Sequence, residues 1–237
     1  MERPLEPAAT VAPLRRGAGG LEVLLLRRNP DLAFHGGAWV FPGGRVDPAD
    51  RTPGVNGAPL AAARRAAVRE AKEEAGLELS PAPLVPLSRW TTPDGLPRRF
   101  VAWVFLTAAE TGAVRVDGGE IHESRWLSPR AALDAHRNGW MTLPPPTFIT
   151  LICLQNHPSP EAALAAAAAR RPRFFVPRIR NVPGGRCSLY HGDAGYIDGA
   201  LDRPGPRHRL WMTRGSWRYE CTLDDETPSP ENAGTIS

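Results

Sequence analysis

The chain reads as an α/β fold followed by a C-terminal extension of different character. Apolar-rich extended runs flank a glycine cluster near the start, an acid-rich helix occupies residues 59–76, and strand and helix signals alternate up to about residue 170. Beyond residue 173 the pattern changes to short extended pieces broken by Pro-Gly turns. These shifts predict a first domain over 5–158, an extension over 159–222 packed on it, and a polar, disordered tail over 223–237.

Each element has a local reason. Residues 8–15 and 21–28 are apolar-rich and separated by Gly17, Gly19 and Gly20, which predicts a β-hairpin. Residues 29–44 predict a loop, with Pro30, Gly36, Gly37, Pro42, Gly43 and Gly44 around a short apolar run at 38–41; a second loop rich in Asp, Pro and Gly follows over 45–57. Pro59 suits a first helical turn and Gly76 a C-terminal cap, with Leu60, Ala67, Val68, Ala71 and Ala75 as the apolar stripe. Strands are expected at 84–90, 99–107 and 123–127. Ser128 before Pro129 caps a helix to about 137, a second helix spans 147–155, and Ser159-Pro160-Glu161 opens a third through the alanine tract to 170. No topology follows for 173–222.

Composition narrows the function. An apolar content of 42% suits a soluble core, no run approaches the roughly twenty apolar residues of a membrane span, and the N-terminal stretch is broken by acids and prolines, so a cytoplasmic protein is expected. Cys153, Cys187 and Cys221 are odd in number and far apart, which fits neither a disulfide framework nor a paired zinc site. The net charge of +4 comes from scattered arginines, Lys72 being the only lysine, so nucleic acid is a disfavoured partner.

The chemistry concentrates at residues 69–77, Arg-Glu-Ala-Lys-Glu-Glu-Ala-Gly-Leu. Glu70, Glu73 and Glu74, three and four apart, share one helix face, where like charges repel. Arg69, Lys72 and solvent relieve part of that repulsion; a hard divalent cation such as Mg²⁺ or Mn²⁺ would relieve more. The bland alternative is a solvated helix face with ordinary charge pairs.

The same residues resemble the second half of the Nudix hydrolase box, Arg-Glu-apolar-any-Glu-Glu-any-Gly-apolar, at every defined position, and Phe41-Pro42-Gly43-Gly44 matches the segment that opens the box. Counting back from Arg69 puts Ala61 and Val55 where the box expects Glu and Gly, which an insertion of about eleven residues after Gly44 reconciles. The resemblance implies an α/β/α sandwich with a mixed β-sheet and hydrolysis of a diphosphate bond in a small-molecule nucleotide. It further implies that Glu73 and Glu74 with the Gly44 carbonyl hold the principal metal, that Glu70 is a further ligand or acts through water, and that Arg69 braces a glutamate. A loop acid is expected opposite the helix, Glu120 after Gly118-Gly119 in preference to Glu123. Arg28 and Arg45 are candidates for phosphate oxygens, with plain surface arginines as the alternative. His35 lies nearest the site, and Trp39 is either a stacking residue or core. The expanded box, residues 37–44, Trp90-Thr91-Thr92-Pro93, Arg99-Phe100 and Leu143-Pro144-Pro145-Pro146-Thr147 look like the branch of CoA and acyl-CoA diphosphatases, although Ala33 stands where that branch has arginine. The competing readings are an ADP-ribose, NADH or nucleotide-sugar pyrophosphatase and a non-catalytic nucleotide sensor; a homodimer is left open.

Overall fold

The computed structural model describes residues 4–32, 35–51, 59–81, 84–96, 98–109 and 114–223. Residues 224–237 of the expected disordered tail and positions 52–58 of the insertion lie outside the described residues.

The expected hairpin is β1 (Glu6–Gly17) and β2 (Gly20–Arg28), paired antiparallel from Gly17↔Gly20 to Leu14↔Val23. Two short strands, β3 (Trp39–Val40) and β4 (Gly43–Arg45), interrupt the region expected to be loop, followed by a 3₁₀ turn at Pro48–Asp50 and helix α1 (Pro59–Ala75). Then come β5 (Val85–Thr91), β6 (Phe100–Ala108), β7 (Ile121–Leu127), α2 (Pro129–Arg137), α3 (Pro145–Leu154) and α4 (Pro160–Ala168). Ser128 and Ser159 accept hydrogen bonds from the amides of Ala131 and Ala162, so both predicted caps are made.

These elements build a mixed eight-stranded sheet in which β3, β2, β1, β6, β5 and a further strand, β8 (Arg173–Phe175), run in that order. Strand β4 adds to β1 and β7 to β2. β1 runs parallel to β6 and β8 parallel to β5, while the other pairings are antiparallel. Both faces are covered, so β2 carries near-continuous leucine instead of alternating with polar residues. Val11, Leu24, Leu26 and Phe105 face α1; Leu14, Leu25, Val104 and Leu106 face the opposite side, with α2, α3 and α4. The architecture is the expected α/β/α sandwich.

The buried stripe of α1 differs from the predicted one. It is Ala62, Ala63, Ala66, Ala67, Ala71 and Ala75, with Leu60 and Val68 at its margin. Alanine lets the helix axis lie close on β1 and β4, and wider side chains would lift it away. Gly76, at φ +66°, ends the helix as predicted, its amide donating to Lys72 and that of Leu77 to Ala71.

Residues 160–175 build onto the main sheet. α4 packs over β5 and β6, and β8 forms the outer strand of the main sheet. The rest is a four-stranded antiparallel sheet, β9 (Arg178–Val182), β10 (Gly185–Leu189), β11 (His208–Thr213) and β12 (Ser216–Cys221), ordered β12-β11-β10-β9. An aromatic seam joins the two sheets. Trp90 stacks on Phe175 at 3.9 Å, Tyr190 meets Phe175 edge-on at 4.9 Å, and His208 closes on both.

The 190–208 connection is organised by a buried ion pair. Arg209 donates from Nε and Nη2 to the two Asp193 oxygens at 2.7 and 2.6 Å, and Asp193 also accepts from the amides of Gly195 and His208. Burial alone would raise the Asp193 pKa; Arg209 and the two amides pull it below the ordinary carboxylate value. Asp193 thereby ties the turn after Tyr190 to the start of β11. No described helix is long and apolar enough to cross a membrane.

Two consequences are measurable. Asp193→Ala strands Arg209 in the interior and should lower unfolding free energy by about 3–5 kcal/mol in urea titrations. His208 is 3% exposed and donates from Nδ1 to the His191 carbonyl, and burial lowers its pKa to about 4. Its stabilising contribution is therefore complete above the unfolded value near 6.5 and lost as pH falls from there toward 4. A loss of about 3 kcal/mol over that window, absent in His208→Phe, is expected from denaturation at stepped pH.

Candidate active site

β1 and β2 pair only near their turn and then diverge. The segment 39–45 fills the opening, β3 hydrogen-bonding to β2 at Leu26↔Val40 and β4 to β1 at Ala9↔Gly44 and Thr10↔Gly43. The Pro42 carbonyl accepts from the Val11 amide at 2.9 Å and from Thr10 Oγ1 at 2.8 Å. This wedge leaves no room for side chains at its tip. A Cβ on Gly43 would lie 2.4 Å from the Ala9 carbonyl oxygen, and one on Gly44 would lie 2.4 Å from Glu70 Oε1. Gly43, blocked by backbone, is required by close approach, whereas a Cβ on Gly44 would have to displace the Glu70 carboxylate from the tip.

The acids of α1 meet that tip. Glu74, 5% exposed, accepts from the Gly43 amide at 2.8 Å through Oε2. Burial pushes its carboxyl up to about 8; the charges of Glu70 and Glu120 act the same way, against the Gly43 amide and Arg28. Burial also raises Glu70, with Glu73 and Glu120 adding to the shift and Arg69 opposing it. Glu73 is the most open of the three, its side chain 56% exposed.

Arg69 ties this group to the insertion. Its Nη1 donates to Glu70 at 2.8 Å and to Glu73 at 3.0 Å, while Nη2 donates to the Arg45 carbonyl at 2.9 Å and to Asp50 at 3.0 Å. Chiefly through the Asp50 hydrogen bond, its pKa is raised. Asp50 is 5% exposed and its Oδ2 also accepts from the Asp47 amide at 2.9 Å. Sequence reasoning passed over Asp50. The signal was available as Asp47-Pro48-Ala49-Asp50, an acid three residues after another around a proline, the spacing of a capped turn.

The loop before β7 brings Glu120 to the same place. Asp117 accepts from the amides of Glu120 and Ile121, Gly118 takes φ +74°, and the Asn29 amide donates to the Glu120 carbonyl at 2.8 Å. Glu120 pairs with Arg28 Nη2 at 2.5 Å, and its charge acts on both Glu70 and Glu74. Glu123 points its carboxylate elsewhere, to Arg125 at 2.7 Å and Arg27 at 3.7 Å. Arg28 Nε is buried with no hydrogen-bond partner among the described residues. The Arg45 side chain is engaged by Glu6 at 3.6 Å, so within the acid group Arg45 contributes its carbonyl. His35 adopts φ +54° in the turn before β3, and Trp39, 3% exposed, is core.

Among the described residues no three metal-ligating side chains form a ready-made cage. The donor set still fits a hard divalent ion. Glu70 and Glu74 flank the Gly43–Gly44 tip, all side-chain donors are carboxylate oxygens, and their mutual repulsion is only partly offset by Arg28 and Arg69.

Residues 4–144 match the NUDIX domain family. No protein of curated function matches the sequence. Among solved structures, the chain is similar to a NUDIX hydrolase from Alicyclobacillus acidocaldarius, with 25% identity and a TM-score of 0.61 over 68% of this chain and 96% of that one. It also matches a MutT NUDIX hydrolase from Burkholderia pseudomallei, with 26% identity, a TM-score of 0.46, and 63% and 98% of the two chains covered. The NUDIX domain of Shewanella oneidensis NrtR, solved with ADP ribose, matches with 13% identity, a TM-score of 0.49, and 63% and 86% covered. With more than half its residues matched and its acid cluster on α1 beside Gly43–Gly44, the chain belongs to the NUDIX family and is a pyrophosphohydrolase of nucleoside diphosphate derivatives.

Proposed function

We propose that this chain hydrolyses the diphosphate bond of CoA or acyl-CoA, using Glu70, Glu73, Glu74 and the Gly44 carbonyl to hold Mg²⁺ or Mn²⁺. The observation that carries the catalytic part is the convergence of Glu70, Glu74 and Glu120 on the Gly43–Gly44 tip. NUDIX hydrolases generally need a divalent cation; bound here, it would screen the phosphate charges and lower the pKa of a coordinated water.

The protein supplies the rest. Glu120, held on a loop braced by Asp117 and Asn29, takes the proton from the attacking water. Arg28, whose Nε has no hydrogen-bond partner among the described residues, turns toward a phosphate oxygen and trades its Glu120 contact as Glu120 gains a proton. Arg69 fixes Glu70 and Glu73 through one nitrogen, so the two carboxylates keep their separation when the substrate charge arrives. CoA would yield a pantetheine phosphate and adenosine 3′,5′-bisphosphate.

The substrate assignment rests on the insertion after Gly44 and on residues 37–44, 90–93 and 143–147. These segments contribute to the structure at Trp39, at Trp90 of the aromatic seam, and at the start of α3. The three cysteines are free thiols, in keeping with the cytoplasmic setting assigned to the reaction.

Phosphate release, coupled to a phosphatase, should be measured with CoA, acyl-CoA, ADP-ribose, NADH and a nucleotide sugar, with Mg²⁺, with Mn²⁺ and with chelator. CoA or an acyl-CoA should be cleaved fastest and only with metal. Preference for ADP-ribose, NADH or the nucleotide sugar would replace the substrate assignment, and no cleavage of any compound would favour a nucleotide sensor. Glu73→Gln should abolish turnover with an unchanged melting temperature, since Glu73 is exposed; retained activity would remove it from the ligand set. Arg69→Ala should lower kcat/KM by about 10- to 100-fold and weaken the Mn²⁺ dependence, as expected when the brace of a ligand is cut.

A further inference from the structure

All seven tryptophans lie in the described residues, and one of them, Trp140, is exposed, with 54% of the residue's surface accessible. It is not a loose side chain. Gly139, at φ +75°, turns the chain after α2, and the amides of Trp140 and Met141 both donate to the Ala135 carbonyl. Met141 and Leu143, each 1% exposed, anchor the connection to α3 from below. The Thr142 carbonyl accepts from the Trp39 amide at 2.9 Å, which locks the connection to β3. The Arg125 guanidinium lies 4.7 Å from the Trp140 ring centroid, and the Trp39 ring lies 6.0 Å away, tilted by 33°. A large indole is thus held rigidly with a cation over it and much of its surface in water, at a cost that folding alone does not require.

Its place relative to the acids is set by two short strands. Trp39 lies opposite Arg27 in the β2–β3 register, and the next residue of β2, Arg28, holds Glu120. Trp39 and Gly44 are five residues apart, a span of at most about 17 Å. The platform belongs to the α2–α3 side and the acids to the α1 side, and the segment joining them passes through the opening between β1 and β2. Arg27 and Arg125, 44% and 46% exposed around the single carboxylate of Glu123, leave positive charge beside the platform. A nucleotide has the matching parts: an anionic diphosphate for the acid and metal end, and a planar base some way from it.

We propose that Trp140 is the surface on which the base of the nucleotide substrate stacks, which makes it a specificity-determining residue. This rests on the reading of the acid cluster as the diphosphate site. Base–aromatic stacking tolerates any base, so the platform sets a preference for nucleotides over base-free phosphates without choosing among bases.

The test is calorimetric binding of adenosine 5′-monophosphate and of ribose 5-phosphate to the full chain in Mg²⁺. Wild type should bind the nucleotide more tightly than the sugar phosphate. Trp140→Ala should weaken the nucleotide by about 5- to 150-fold, leave ribose 5-phosphate unchanged, and keep the wild-type melting temperature; Trp140→Phe should restore most of the loss. Equal weakening of both ligands, or no change in either, would overturn the proposal, the second outcome pointing to a second copy of the chain as the cover of Trp140. Because neither ligand contains a diphosphate bond, the result is independent of turnover. A protein that binds the nucleotide through Trp140 yet cleaves nothing would refute the hydrolytic assignment and leave the platform standing.

Discussion

The divergence of β1 and β2 is the constraint on which the site depends. Were the two strands paired along their whole length, no edge would be free to accept β3 and β4, and the Phe41-Pro42-Gly43-Gly44 segment would have no place inside the sheet. Because they part, one short segment satisfies the open backbone groups of both strands at once, through Leu26↔Val40 on one side and Ala9↔Gly44 on the other. The tip is then held as firmly as a strand while keeping the exposed amide and carbonyl groups of a loop. Alanine on the buried stripe of α1 completes the arrangement by bringing the helix within reach, so Glu74 can meet the Gly43 amide directly.

That geometry carries an electrostatic cost, distributed unevenly. Glu74 bears most of it: it is buried, receives one amide hydrogen bond, and sits in the fields of two other carboxylates. Glu70 and Glu73 are compensated by Arg69, which is itself fixed by Asp50 and the Arg45 carbonyl. A lysine at position 69 would offer one point charge; the guanidinium satisfies acceptors on α1, β4 and the 3₁₀ turn together because its donors fan out in a plane. The insertion after Gly44 is therefore connected to the site through Asp50, and its first turn braces the helix that carries the acids.

The legible parts of the sequence were those with local causes. Caps at Ser128 and Ser159, the helix stop at Gly76 and the hairpin glycines act within a few residues, so composition and spacing reveal them. The acid cluster was legible through helical periodicity. What escaped depends on contacts distant in sequence. β3 and β4 are too short to show a pattern and exist because strands 12 to 37 residues earlier leave an edge open. The four-stranded sheet escaped because arginine at 178, 180, 186, 209 and 218 hides the alternation of its strands, the inward Arg209 being tolerated only beside Asp193. Trp140 could not be distinguished by sequence from the core tryptophans, since exposure is a property of packing.

The extension bears on the site through rigidity. Tyr190, Phe175 and Trp90 close the α2–α4 side of the sheet, and Trp217 packs edge-on to His136 of α2 and Phe148 of α3 at 4.7 and 5.3 Å. The connection carrying Trp140 runs between those two helices, and the His136 ring is bonded to the Met141 carbonyl at 3.1 Å. A ring supplied by β12 thus clamps both ends of the connection that meets β3, and β3 leads directly to the glycine tip. Removing the second sheet would leave the acids on α1 in place but loosen the backbone on the other side of the opening. In this chain the wedge is pinned from two directions, by α1 through the Arg69 hub and by the C-terminal sheet through α2 and α3, which explains why an extension far from the acids in sequence is built into the same core.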